Sequence, residues 1–475
     1  TDDGNLQLSR DDGKTWSDLT ASGPKVPKYS PVSHVEPSRT AAGMAYVAYD
    51  RHMFDDFGAH IFKTSDFGRT WTDVSDNLPN GAYVHVVRED PKVPTLIYAG
   101  TEIGLFVSRN GGGKWERTHL KNLPAVAVHD ILVHPVMNDL ILATHGRGIW
   151  ILDDATPLQR MDARIRDATA ELFDVRPGYR YSMKDTRFMF GNKVWLGTNP
   201  LYGALVTYYL KSKPDSATKV KLEVLDAAGA VIREIKRAPA NAGLNRINWD
   251  LAYDPPRPRR DSAGPGEGGF GGAPRGPQAV PGTYTVRLTV GTQRLERTLE
   301  VRMDPAVEVS VADLRKQFDA ALNLREMRSA MNDTLRAIDA YRAQLVGRKN
   351  VVATLRAEVK TEQMKAIDAE IADVDSLLAA VTQPQGKTFW SEGPRISERL
   401  GALANAIDGP NRAPTTHQVQ LLGELQIEWK EALMKVAAKL GKIISLEPQP
   451  PNGSRVANGA TPTATSFKTL DRKLR

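Results

Sequence analysis

Ser9-Arg10-Asp11-Asp12-Gly13-Lys14-Thr15-Trp16 and Thr64-Ser65-Asp66-Phe67-Gly68-Arg69-Thr70-Trp71 stand 55 residues apart in this chain. A worn third copy, Ser108-Arg109-Asn110-Gly111-Gly112-Gly113-Lys114-Trp115, follows 44 residues later. Repeats at such a period mark an array built from one supersecondary unit. The shared pattern is Ser/Thr-x-Asp-x-Gly-x-Thr-Trp. An Asp near the start of a tight turn accepts hydrogen bonds from backbone N–H groups a few residues on, and Gly supplies the positive φ the turn needs. The terminal Trp is a large apolar anchor, expected to pack against a neighbouring sheet. Each octet is therefore a hairpin corner between two strands, and Asn110 can form the same turn in the third copy.

The flanks repeat as well. Pro37, Pro91 and Pro135 each follow an apolar run and are spaced 54 and 44 apart. After each comes a polar turn and a second apolar run: Met44–Tyr49, Leu96–Gly100 and Leu140–Thr144. A third run, such as Gly104–Ser108, leads into the octet. The unit is strand, turn, strand, turn, strand, corner, strand, which predicts one four-stranded blade of a β-propeller. The segment Ala143–Asp154, containing Thr144-His145-Gly146-Arg147-Gly148-Ile149-Trp150, has no octet after it and reads as the closing blade.

The octets resemble Asp-box (bacterial neuraminidase, or BNR) repeats, which occur in sialidases, sortilin-type receptors and some glucanases. That resemblance implies that Ser9, Asp11, Gly13, Trp16, Asp66, Gly68, Trp71, Asn110, Gly112 and Trp115 are structural, in a turn away from any active site. Residues 1–155 hold two complete units and pieces of others, whereas a closed propeller usually needs about four to eight blades. Fewer would leave strand edges exposed. The first octet comes early, with no initiating Met or signal segment before it. The chain is therefore expected to be the C-terminal part of a longer polypeptide, or to be completed by a partner chain.

Composition bounds the partners. The net charge is +7, from 63 basic and 56 acidic residues, a modest excess spread along the chain. Its one basic cluster, Arg257-Pro258-Arg259-Arg260, lies in a Pro/Gly-rich loop without interleaved aromatics, so a solvated loop is expected rather than a nucleic-acid groove. The absence of cysteine excludes disulfides and thiolate metal sites. No apolar run approaches the length that spans a membrane.

Past the repeats the pattern changes. Residues 156–305 read as an immunoglobulin-like β-sandwich. Leu205–Leu210 is rich in β-formers, Val220, Leu222 and Val224 alternate with polar residues, Val231, Ile232 and Ile235 return, and Tyr284, Val286, Leu288 and Val290 share one face. The run from Leu225-Asp226-Ala227-Ala228-Gly229 through Asn248-Trp249-Asp250 to Pro281-Gly282-Thr283-Tyr284 resembles the immunoglobulin-like domain of the flagellar hook-capping protein and of many secreted bacterial modules, usually spacers or docking elements. A flexible insertion is expected over 255–280, where Gly and Pro dominate Asp261–Gln278. Those glycines lack the setting of a phosphate loop.

From residue 306 to 446 the period becomes 3.6. Ser310 and Asp313 read as a capping box. Leu324, Met327, Met331, Leu335, Ile338, Tyr341 and Leu345 form one stripe. Val352, Leu355, Val359, Ile367, Ile371, Val374, Leu378 and Val381 form a second, with Gly347 marking the break. A short helix over Ile396–Ile407 follows, and a last one carries Val419, Leu422, Trp429, Leu433, Val436, Leu440 and Ile443. Single stripes predict an antiparallel helical bundle. Residues 447–475 read as a loose tail. The fold class is thus mainly β plus α: propeller blades, sandwich and bundle.

Chemistry is sparse. Eight of nine histidines precede residue 146. His129, Asp130, His134 and His145 form the most suggestive group, able to meet near a propeller axis as metal or acid–base residues, but turn and blade-edge positions are the favoured reading. Glu102 and Asp130 are the candidate carboxylate pair for glycoside hydrolysis, a chemistry decided by a separation the sequence does not give. Arg147 could bind an anion or brace Asp153 or Asp154. No cofactor or metal is expected. The arginine motif of sialidases does not occur in this chain. As a whole the chain resembles exported bacterial proteins labelled BNR-repeat glycosyl hydrolases or sortilin-like propeller proteins. The resemblance implies an exported ligand-binding or scaffolding protein, with a protein or glycan ligand. The alternative is a sialidase-like or glucanase-like hydrolase whose acids lie mostly on upstream blades.

Overall fold

A computed structural model describes residues 1–118, 120, 122–182, 193, 201–215, 217–259, 274–354, 357–383 and 393–446. The chain divides into two compact units. One comprises residues 1–176, 207–213 and 241–245, and the other 177–206, 214–240 and 246–475.

The first unit opens with a two-stranded sheet, β1 (Gln7–Leu8) and β2 (Ser17–Asp18). Two four-stranded antiparallel sheets follow. They are β3 (Val32–Pro37), β4 (Ala45–Tyr49), β5 (His60–Thr64) and β6 (Thr72–Asp73), then β7 (Val84–Glu89), β8 (Ile97–Thr101), β9 (Gly104–Ser108) and β10 (Trp115–Arg117). A three-stranded sheet closes the series: β11 (Val128–Val133), β12 (Leu140–Thr144) and β13 (Ile149–Leu152). In every sheet the strands lie in chain order, so each is a meander, and the succession is propeller-like. The three octets join β1 to β2, β5 to β6 and β9 to β10.

Apolar cores between successive sheets hold the array together. Val47, Tyr49 and Phe62 of the second sheet pack with Leu6 and Leu19, Tyr46 and Ile61 pack with Ile97 and Phe106, and Tyr98 and Leu105 pack with Ile131 and Leu140. Each such side chain contributes about 1.5–3 kcal/mol on burial.

The octet geometry recurs bond for bond. Asp11, Asp66 and Asn110 each accept, through Oδ1, the hydroxyl two residues back and the N–H four residues on, at 2.9 Å throughout. The same hydroxyls accept the N–H of Gly13, Gly68 and Gly112, which sit at φ +85°, +78° and +97°. Two of the three tryptophans pack as expected, and Trp16 does not. Trp115 is buried and donates to the Val74 carbonyl of the preceding sheet at 2.7 Å. Trp71 packs beside Leu19, whereas Trp16 is 61% exposed.

Helices α1 (Thr156–Arg160) and α2 (Ala163–Asp167) and strand β14 (Ala170–Leu172) complete the unit. Gln159 donates to Asp90 and Asn138, fastening α1 to the third and fourth sheets. The unit therefore runs on past the expected limit near residue 155.

The second unit contains a five-stranded sheet in the order β15 (Gly178–Arg180), β21 (Gln293–Met303), β20 (Gly282–Val290), β17 (Val220–Leu225), β18 (Val231–Glu234). Only β15 and β21 pair in parallel. Leu222, Val224, Tyr284, Val286, Leu288 and Val290 are buried on the expected face, with Arg287 paired to Glu223 on the other. Strands β16 (Ala204–Leu210) and β19 (Gly243–Trp249) belong to a separate three-stranded sheet in the order β14, β16, β19.

Four long helices follow: α3 (Val311–Val352), α4 (Ala357–Val381), α5 (Ile396–Asp408) and α6 (Thr416–Leu446). Ser310 caps α3, accepting the Asp313 N–H at 3.0 Å. Leu324, Met331, Val381, Leu400 and Leu425 share one core drawn from all four helices. Two expectations fail here. Gly347 does not break α3, which runs to Val352, since one solvent-side glycine costs only about 1 kcal/mol against the packing around it. Val419 is 55% exposed rather than on the apolar stripe. Arg257 and Arg259, expected in a solvated loop, each make paired bonds to helix α3, to Asp333 and Asp339. Of the insertion expected over 255–280, residues 260–273 lie outside the described residues, as do the tail 447–475, Leu355 and the side chains of Val359, Leu440 and Ile443, while Ala279 and Val280 of its described part are buried. Among the described residues, no helix is long and apolar enough to cross a membrane.

Candidate functional site

The first strand of each of the three larger repeats carries a β-bulge near its start. Pairing skips one residue between Val32 and His34, between Val84 and Val86, and between Val128 and Asp130. The skipped residues are Ser33, His85 and His129. A bulge leaves one residue out of the ladder and re-aims its side chain. The residue after each second strand is also equivalent. Asp50, Glu102 and His145 donate their N–H groups to Pro31, Tyr83 and Ala127, one repeat position in each case. Three repeats thus offer six matching side chains, three on their first (inner) strands and three just past the second strands paired with them.

Five of these, all but Ser33, meet directly. His85 Nε2 lies 3.1 Å from Glu102 Oε2, and its Nδ1 lies 3.6 Å from Asp50 Oδ2. The His85 and His129 rings stack with centroids 4.0 Å apart, and His145 stands edge-on to His129 at 4.8 Å. Asp50 also accepts the His52 backbone N–H at 3.1 Å and faces its ring nitrogen at 2.6 Å. The His52 ring in turn stacks on Tyr83 at 4.8 Å. Burial, with the charges of His85 and His145 adding to it, holds the His129 imidazole below its ordinary value. Burial and the Glu102 carboxylate push the Tyr83 hydroxyl up. His85, Glu102 and His129 each present one ligand atom, all within 4.8 Å of one another, a set able to hold a metal ion.

Behind this cluster, Arg88 ties three inner strands together. It donates to Glu36 on β3 at 2.6 Å, and to the Ile131 carbonyl and the Asp130 carboxylate on β11 at 2.8 and 3.0 Å. Burial raises the Glu36 carboxyl, partly offset by Arg88. Burial also pushes the neighbouring His34 imidazole down to about 4, with Arg88 adding to the effect.

The predicted residues therefore separate. Glu102, His129 and His145 come together. Asp130 does not join them: it pairs with Arg88, while Glu102 faces His85, so the proposed carboxylate pair has two different partners. His134 accepts the N–H groups of Val136 and Met137 in a turn, as its place beside Pro135 suggested. Arg147 is exposed, with its carbonyl accepting Trp150 Nε1, and Asp154 is held by Asn138 and Thr156. His85, Asp50 and His52 were missed. Their signal was present, because Val32, Val84 and Val128 align the inner strands at spacings of 52 and 44 and put Ser33, His85 and His129 in one column.

No family model matches the sequence, and no curated protein matches it. Among solved structures, the chain is similar to a GH74 xyloglucanase from Xanthomonas campestris at 12% identity and a TM-score of 0.27, over 63% of this chain and 51% of that one. It is similar to an ancestral GH74 enzyme at 13% identity and 0.26, over 65% of this chain and 35% of that one. This chain thus spans about half the length of the first and about a third of the second. At those scores the likeness assigns no chemistry to this chain.

Proposed function

We propose that the repeat sheets are Asp-box blades of an exported bacterial propeller protein, and that the ends of their inner strands form a face that recognises a protein or glycan ligand. The observation that carries this reading is the convergence of His85, His129, His145, Asp50 and Glu102 from three successive repeats. Structural turns explain the octets, but they do not explain a column of polar side chains re-aimed by bulges to one end. Exposed Phe57 lies 6.2 Å from Tyr83, and exposed Met53 and Phe54 are in the same loop, so apolar contact area adjoins the polar cluster. That pairing of aromatic anchor and fixed polar groups suits recognition. The strands and helices of the second unit serve docking or assembly in this proposal, as an immunoglobulin-like sandwich and a helical bundle. The exported location rests on the repeat resemblance.

Glycoside hydrolysis is the second reading. Because Arg88 neutralises Asp130, hydrolysis would draw on Glu102 and Asp50, the two carboxylates that face His85. Glycan and peptide arrays probed with the purified chain decide between them. The expected result is retention of a ligand class by wild type, loss of it in Glu102→Gln and Phe57→Ala, and no release of reducing sugar from soluble polysaccharides. Sugar release that disappears in Glu102→Gln would replace recognition with hydrolysis. Retention untouched by both variants would remove this face as the site.

A further inference from the structure

We propose that His85, His129 and Glu102 bind a divalent transition-metal ion such as Zn2+, with Asp50 holding the far side of the His85 ring. The inference rests on the same face as the recognition reading and names an ion for it.

Two imidazoles and a carboxylate are donors suited to such ions, and three protein ligands leave a position open. Their ligand atoms lie within 4.8 Å of one another without an ion. Zn–N and Zn–O bonds of about 2.0–2.2 Å require the donors to close somewhat further. The cluster can supply that movement, because His129 is an exposed ring and the Glu102 side chain is 42% exposed. His85 is the fixed member, with its side chain only 12% exposed. The backbone supports it: His85 and His129 are bulge residues of neighbouring inner strands, and Glu102 directly follows the strand paired with His85's own.

The far side of His85 is also provided for. When Nε2 serves as ligand, Nδ1 carries the ring proton and faces Asp50 Oδ2, 3.6 Å away. Asp50 is itself positioned by the His52 N–H and ring. A carboxylate behind a ligating histidine fixes its tautomer and orientation and raises its basicity. His145 stands edge-on to His129 at 4.8 Å but is not one of the three residues whose ligand atoms converge, so water can take the fourth position. A hydrogen-bonded ring of histidines and acids is the competing account. It does not by itself call for two imidazoles stacked at 4.0 Å with a carboxylate facing one of them.

Calorimetric titration of the chelator-treated 475-residue chain with Zn2+ tests the site. Saturable binding at micromolar concentration or tighter is expected, with its loss in His129→Ala and Glu102→Gln. Asp50→Asn, a positioning change, is expected to weaken binding about tenfold or more without abolishing it. His417→Ala, at an unrelated helix, should bind like wild type. Absence of saturable binding in wild type, or affinity unchanged in both ligand variants, overturns the proposal. Should a ligand variant fail to fold, Co2+-loaded wild type answers instead. Paramagnetically shifted ring signals from two histidines support the site, and none overturns it. The two readings fail separately: array ligands retained by protein that takes up no Zn2+ leave recognition standing and remove the ion. Zn2+ uptake with no array ligand does the reverse.

Discussion

Asp66 supports its corner with both carboxylate oxygens. Oδ1 takes the Thr70 N–H and the Thr64 hydroxyl, and Oδ2 takes the Thr70 hydroxyl at 2.7 Å. Those bonds hold its carboxyl down at about 2, against an ordinary 3.8, with the Thr70 backbone bond first among the causes. The unfolded chain therefore binds the proton at higher pH than the folded one. The associated stability is complete above the ordinary value and is lost as pH falls toward the folded value. Asn110 performs the Oδ1 part in the third copy as a neutral amide. Asp66→Asn should thus fold and lose part of the acid dependence between about pH 4 and 2, whereas Asp66→Ala should melt lower at every pH. Thermal melts of the two variants across that range check this, and identical pH slopes in wild type and Asp66→Asn would refute it. At this scale the octets were legible from sequence alone. Their donors and acceptors are all within a few residues of one another, so nothing distant is needed to form the turn.

Helix α3 shows how an element adds to local preference. Its start was readable, since Ser310 stands immediately before the periodic run and its Oγ accepts the Asp313 N–H. Ser310→Ala should cost about 1 kcal/mol, read as a lower denaturation midpoint with unchanged helical signal in circular dichroism. No change in midpoint would mean that another group satisfies that N–H. The helix's end was not readable. Gly347 looked like a stop because isolated propensity was the only guide, but Leu345 and Val352 on either side are buried, and packing carries the helix through. The inner strands give the reverse case. Their alternation predicted strands correctly, yet the bulges at Ser33, His85 and His129 depend on how each strand pairs with the next. Strict alternation could not say that His129 turns toward His85 while Asp130 goes to Arg88.

For the whole molecule, separate apolar cores serve the separate parts. Leu140 belongs to the core between the third and fourth sheets, and Leu324 to the core of the four helices. Both are fully buried, so each change to Ala should cost about 2–5 kcal/mol. Because the two residues share no packing partner, the double variant should lose the sum of the single losses to within about 0.5 kcal/mol. Equilibrium denaturation of the three variants checks this, and a larger discrepancy would show that the cores are coupled. The sequence by itself determined the period, the order of strands within each repeat, the corner turns and the helical stripes, because these depend on residues close in the chain. Tertiary structure alone decided that Trp16 stays exposed, how far α3 runs and which polar groups meet. His85, Glu102, His129 and Asp50 lie up to a repeat and a half apart in the chain. Only strand pairing and the stacking of one sheet on the next bring their side chains to a common point.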